Sequence, residues 1–264
     1  MLDLLDGLIK ITQTSSLVLG GAIACFIAPN CKNLFLLTIA LFLDIAGTTI
    51  LNMVIDKDID SLMKRTQSRP IPSRRVSSTI ALVIGIIMTL SGILVAFEIN
   101  TLTGVAAFLG AFIDAVLYSM LLKRRTWLSP LIGGIAGAMP FYGGWVAGGG
   151  DPILGLVYIP IITFWSCSHI WALNASFYDD YMRARIPTLV SEFKGSFKYI
   201  SASVLLIASV LTSFFIGGLS LLLIAITGLY LYFMLKNNFK HSFKIATIWL
   251  VLFYILLLLH KLYL

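Results

Sequence analysis

Asn52, Asp56 and Asp60 recur every four residues at the end of a long apolar stretch. On a helix this spacing stacks the three side chains on one face, one turn apart. Asp44 and Thr48 carry the same stripe deeper into apolar sequence. Carboxylates one turn apart repel unless a cation lies between them. Mg²⁺ takes such oxygen ligands and commonly bridges them to phosphate groups. The next segment contains Met63-Lys64-Arg65, then Arg69-Pro70-Ile71-Pro72. Its prolines stop the helix and turn the chain, which allows Lys64, Arg65 and Arg69 to return over the acids. Guanidinium groups match diphosphate oxygens bidentately. Together the two runs describe a metal-diphosphate type of site. The plain alternative is an interfacial helix end with snorkelling charges. Ionisable groups at a membrane helix end are costly unless paired, which favours the first reading.

A second run has the same design. Ser168-His169-Ile170-Trp171 leads through Asn174 to Asp179-Asp180-Tyr181, then Arg183, Arg185 and Pro187. Helical spacing places His169, Leu173, Ser176 and Asp180 close to one face. The repetition suggests two halves closing over one site. His169 is either a hydrogen-bonded packing residue or part of that site. Between the runs, Tyr118 precedes Lys123, Arg124 and Arg125. These three bases are either topological anchors or a third cluster converging on a diphosphate. Asp114, one turn before Tyr118, is a buried membrane carboxylate with either a functional or a packing role.

The elements that position these residues are membrane helices. The 264 residues are 59% hydrophobic and 12% charged, with a mean hydropathy of +0.96. That is too little charge to coat a water-soluble domain. Nine segments approach the roughly 20 apolar residues of a crossing: 11–28, 34–55, 78–97, 102–122, 128–147, 153–175, 199–216, 219–235 and 244–262. With nine crossings, connections alternate sides, and of 19 Lys and Arg only Lys32 and Lys261 fall on the minority side. The rich side is cytoplasmic by the positive-inside rule. The expectation is an all-α, polytopic membrane protein of one domain, 1–264, its N-terminus and acidic loops inside and its C-terminus outside. The net charge of +7 follows from this topology and calls for no nucleic acid.

Asp3 and Asp6 precede the first Lys, unlike the basic start of a signal peptide, so the first apolar segment reads as retained. Cys25, Cys31 and Cys167 show no CxxC or metal-finger spacing and read as packing residues.

Nine helices with Asn-xxx-Asp-xxx-Asp after the second resemble the UbiA superfamily of intramembrane prenyltransferases. Met63-Lys64-Arg65-Thr66, Leu122-Lys123-Arg124-Arg125-Thr126 and His169-Ile170-Trp171-Ala172-Leu173 with Asp180-Tyr181 are similar to its heme O synthase branch, the protoheme IX farnesyltransferases. Departures from that branch stand at Asn174, Arg185 and Thr188, and they bear on substrate more than on reaction class. The resemblance implies helices around a central cavity, with Asn52, Asp56, Asp60 and Asp180 holding Mg²⁺ for an isoprenyl diphosphate. Lys64, Arg65, Arg69, Lys123 and Arg124 would neutralise the diphosphate. A vinyl group of heme B would be the acceptor, with His169 and Tyr118 beside it. Asp44 and Thr48, which extend the stripe inward, are expected from that position to line the substrate cavity and not the metal site. A glycerol-phosphate lipid or quinone precursor is the competing acceptor. A cation-coupled transporter is the competing class; it usually shows inverted repeats, and none is visible.

Overall fold

The structure, a computed structural model, describes residues 7–263 and is all-helical there, with no strand among the described residues. Asp3 and Asp6 lie outside those residues. The chain runs through α1 (Ile11–Ile27), α2 (Leu34–Ile55), the short α3 (Lys57–Leu62), α4 (Ser78–Ile99) and α5 (Thr101–Phe112). It continues through α6 (Ser129–Ala147), α7 (Pro152–Gly155), α8 (Tyr158–Ser176), α9 (Tyr178–Arg183) and α10 (Leu189–Phe193). Then come α11 (Phe197–Leu211), α12 (Ser213–Ile216), α13 (Ser220–Leu235) and α14 (Phe239–Tyr263).

Among the described residues, six segments are long and apolar enough to cross a membrane: Leu34–Ile55, Ser78–Ile99, Thr101–Leu122, Pro152–Ser176, Leu189–Leu235 and Phe239–Tyr263. The fifth, of 47 residues, folds back near Gly217, whose φ is 52°. Its halves α11 and α13 pack side by side, joined by Ser201–Tyr230 and Ser209–Thr227 hydroxyl pairs. Ile11–Ile27 is a shorter apolar helix. Large apolar side chains face outward, Phe35, Phe214 and Leu221 among them. This suits lipid, in which helices satisfy their own backbone groups.

Lipid gives helices no hydrophobic reason to associate, so small residues permit close approach. A Cβ on Gly92 of α4 would lie 2.4 Å from the main-chain nitrogen of Asp44 in α2. One on Gly144 of α6 would lie 2.0 Å from the carbonyl of Gly21 in α1. The largest buried cluster joins α1, α6, α8, α11, α13 and α14 around Trp249, Phe253 and Tyr230. Trp249 donates its indole N–H to Ser209 at 2.8 Å.

Two local departures from the sequence reading matter. Cys25 and Cys31 form a disulfide across the α1–α2 turn, so they are not simple packing residues; six residues apart on a tight turn, their Cα atoms come within 5.3 Å. Cys167 is free and buried. After Phe112, α5 continues as a π-helix over Ile113–Leu122. This wider turn changes which residues of that stretch share a face.

Candidate functional site

Two helix breaks build the site. The regular course of α2 ends at Ile55, and the chain re-enters a helix as α3 after Asp56. Likewise α8 ends at Ser176 and α9 begins after Phe177. The short helices α3 and α9 pack together through Ile59 and Met63 against Tyr181, Ala184 and Ile186. Asp180 accepts the main-chain N–H of Lys64 at 3.1 Å and of Arg65 at 3.0 Å, and pairs with Arg183. Burial works to raise the Asp180 carboxyl, but these N–H groups and Arg183 outweigh it and hold it below its ordinary value. A cleft of about 530 Å³ opens here, lined by Lys64, Arg65, Asp179, Asp180 and Arg183. The Arg65 guanidinium lies 5.3 Å over the Phe177 ring.

Each motif carboxylate takes its own cation. Asp60 pairs with Arg69 at 2.6 Å, so the loop does fold back over the acids. Thr66, the residue between, fixes the return by donating to the Asp60 carbonyl at 2.9 Å. Asp56 pairs with Lys123, and its other oxygen, Oδ1, is buried without a partner. Among the described residues no three His, Cys, Asp or Glu side chains converge as a ready metal cage. Like charges held in a poorly screened site separate onto basic partners. Burial disfavours the charged Lys123 amine, but Tyr118 and Asp56 outweigh it and raise the amine above its ordinary value.

The π-helix supplies the third wall. Its wide turn brings Tyr118, Ser119 and Lys123 to the same region, with the Lys123 amine 5.6 Å from the Tyr118 ring centroid. Ser119 donates to the Asn52 carbonyl oxygen at 2.9 Å, and the Asn52 amide N–H donates to Asp114 at 2.5 Å. Asp44 and Thr48 are buried, with Thr48 donating to the Asp44 carbonyl at 2.8 Å.

Two expected members stand apart. Arg124 holds both oxygens of Asp58 at 2.6 Å in an exposed pair and donates to the Ile55 carbonyl. This pairing lowers Asp58 and raises Arg124. Arg124 therefore braces the break in α2 instead of facing the other acids. His169 lies between Trp165 and Phe243, with ring centroids 5.1 and 4.0 Å away, and its Nδ1 has no partner. The α8 break at Phe177 ends the regular spacing that had aligned His169 with Asp180.

Lys10 is the member that sequence reasoning missed. Residues 7–10, just before α1, sit on the Arg69–Pro70 loop, where a Cβ on Gly7 would meet Pro70 at 2.8 Å. Leu8 and Ile9 pack against Ile50, Met53 and Ile71. Lys10 consequently stands within electrostatic reach of Arg69, Lys123, Asp60 and Asp114. Burial first, then Arg69 and Lys123, lower its amine to about 8. Its place before the first span was the sole sequence signal.

The family model "UbiA prenyltransferase family" matches residues 15–257. The chain belongs to the UbiA prenyltransferase family. Among UbiA relatives, a protein named protoheme IX farnesyltransferase from Thermofilum pendens is 34% identical over 97% of this chain and 98% of its own length. Another of that name, from Korarchaeum cryptofilum, is 43% identical over 70% of this chain and 65% of its own. Among solved structures, a digeranylgeranylglyceryl phosphate synthase superposes with a TM-score of 0.79 at 18% identity, covering 100% of this chain and 99% of that one. A UbiA homolog from Archaeoglobus fulgidus bound to GPP and Mg²⁺ gives 0.75 at 18% identity, over 96% of this chain and 99% of that one. Those structural likenesses establish the UbiA fold.

Proposed function

We propose that this chain transfers a farnesyl group, or its geranylgeranyl homologue, from the diphosphate to a vinyl group of heme B, giving heme O. The observation that carries the reading is the meeting of the α2 and α8 breaks, where acidic and basic side chains gather at one end of a lipid-embedded bundle. The acceptor rests on the names of the relatives. The chain works as one domain, 1–264, with nine crossings. The acidic loops and N-terminus are cytoplasmic and the C-terminus is outside.

Asn52, Asp56, Asp60 and Asp180 are the residues that would hold Mg²⁺. The unpartnered, buried Oδ1 of Asp56 suits that role, and the donor set is all oxygen, as a hard cation requires. When bound, the ion supplies positive charge against the diphosphate. Lys123 and Arg69 exchange their carboxylate partners for phosphate oxygens, while Lys64, Arg65 and Lys10 close the pocket around the anion. Arg124 keeps the α2 break in place. Positive charge aimed at the departing group is the main catalytic lever.

The allylic C1–O bond breaks and its electron pair leaves with diphosphate. C1 then bonds to the terminal vinyl carbon, and water captures the resulting porphyrin-side cation and loses a proton. Tyr118, beside Lys123, borders the acceptor. His169, packed between Trp165 and Phe243, would lie beside the porphyrin.

The test is mass spectrometry of hemes from membranes expressing the chain, together with diphosphate release. A hydroxyethyl-prenyl heme supports the reading. Release with a lipid or quinone-precursor acceptor but no modified heme moves the acceptor elsewhere; no release with any acceptor removes prenyl transfer altogether.

A further inference from the structure

We infer that Asp114 is a positioning residue of the diphosphate site, acting through the Asn52 amide; this rests on the prenyl-transfer reading. The amide is gripped at both ends by one π-helix. Asp114 accepts its N–H at 2.5 Å, and Ser119 donates to its oxygen at 2.9 Å. An amide can turn over, exchanging a donor for an acceptor at nearly equal shape. With Asp114 Oδ2 as the acceptor the two orientations are not equivalent: only the NH₂ end can donate to it. The carboxylate therefore selects the orientation, and the Asn52 oxygen is left toward Ser119.

Spacing makes this grip possible. Asp114 and Ser119 are five residues apart, which an α-helix would splay around its axis. The π-helix of Ile113–Leu122 brings them to the same amide. Lys123, immediately beyond it, then reaches Asp56, one turn from Asn52. The free lone pair of the Asn52 oxygen and the unpartnered Oδ1 of Asp56 are thus available to one cation. A turned amide would present N–H there and oppose it. Asp44 belongs to the same arrangement, within electrostatic reach of Asp114, and its Oδ1 is buried and unpartnered.

The experiment measures Mn²⁺ binding by the loss of the free-ion electron paramagnetic resonance signal, using full-length protein in nanodiscs without turnover. Asp114→Asn is expected to weaken Mn²⁺ roughly 10- to 100-fold, the usual effect of removing a partner that orients a metal ligand. In the Asn52→Ala background the same change is expected to add nothing, because the amide it orients is gone. Ser119→Ala keeps the buried carboxylate and reports on the same grip if Asp114→Asn fails to fold; it is expected to shift binding the same way. Unchanged Mn²⁺ binding in the folded variants overturns the inference, as does an undiminished Asp114→Asn loss in the Asn52→Ala background. Wild-type protein that neither binds Mn²⁺ nor releases diphosphate sinks the prenyl-transfer reading itself. Wild-type binding and release, matched by Asp114→Asn, sink only the positioning role.

Discussion

Lys123 donates its main-chain N–H to the carbonyl of Tyr118, five residues back, at 2.8 Å. That single π-type turn puts the amine over the Tyr118 ring and onto Asp56. Lys123→Ala should lose turnover and destabilise the fold by about 3–5 kcal/mol, because it strands a buried carboxylate. Adding Asp56→Asn should recover much of the stability and none of the activity. Thermal unfolding and diphosphate release on the two variants separate these effects.

Lys10 gives a pH signature. Its folded-state value of about 8 lies below the ordinary 10.5. The charged amine therefore costs stability below pH 8, and that cost fades as pH rises toward 10.5. Binding runs the other way: the positive charge is lost as pH rises through about 8. The apparent KM for isoprenyl diphosphate should climb over that range in the wild type. Lys10→Arg, charged throughout, should flatten the climb; a wild-type KM constant from pH 7 to 9 argues against a role for Lys10.

Asp180 ties the loop after α3 to α9 by accepting two main-chain N–H groups. Asp180→Ala leaves them unmatched, at about 1–3 kcal/mol. Hydrogen exchange of Lys64 and Arg65 should rise sharply while exchange in α11 and α13 stays constant. Its carboxyl is held low, so the tie is fully present above the ordinary carboxylate value and is lost as pH falls below it. Equal exchange in variant and wild type would show that the loop docks by other means.

Gly92 meets the backbone of Asp44, which cannot step aside as a side chain could. Gly92→Ala should cost about 1–3 kcal/mol by overpacking. The measurement is the unfolding midpoint in detergent, with Gly228→Ala as the control, since a Cβ there meets nothing within 4 Å.

The disulfide has a thiol count attached. Unfolded without reductant, the protein should show one reactive thiol, Cys167; with reductant it should show three. Cys25→Ser with Cys31→Ser should lower stability by up to about 2 kcal/mol, as for a short closed loop. Three thiols without reductant would remove the bond.

Membrane class, helix positions and the two acidic-basic runs were legible in the chain itself. They depend on local quantities: apolar length and four-residue spacing. The prolines did not stop the helices as expected: α3 ends at Leu62, ahead of Pro70, and α9 at Arg183, ahead of Pro187. The return of Arg69 onto Asp60 was legible because only nine residues separate them; that Thr66 holds the loop back on the Asp60 carbonyl was not. Only tertiary structure decided which base each acid takes, that Asp114 grips Asn52, that Lys10 reaches the site, and that Arg124 and His169 turn elsewhere. Those outcomes depend on contacts between distant segments and on breaks at Asp56 and Phe177. The π-helix compounds this, because it abandons the 3.6-residue period on which every reading of a helix face depends.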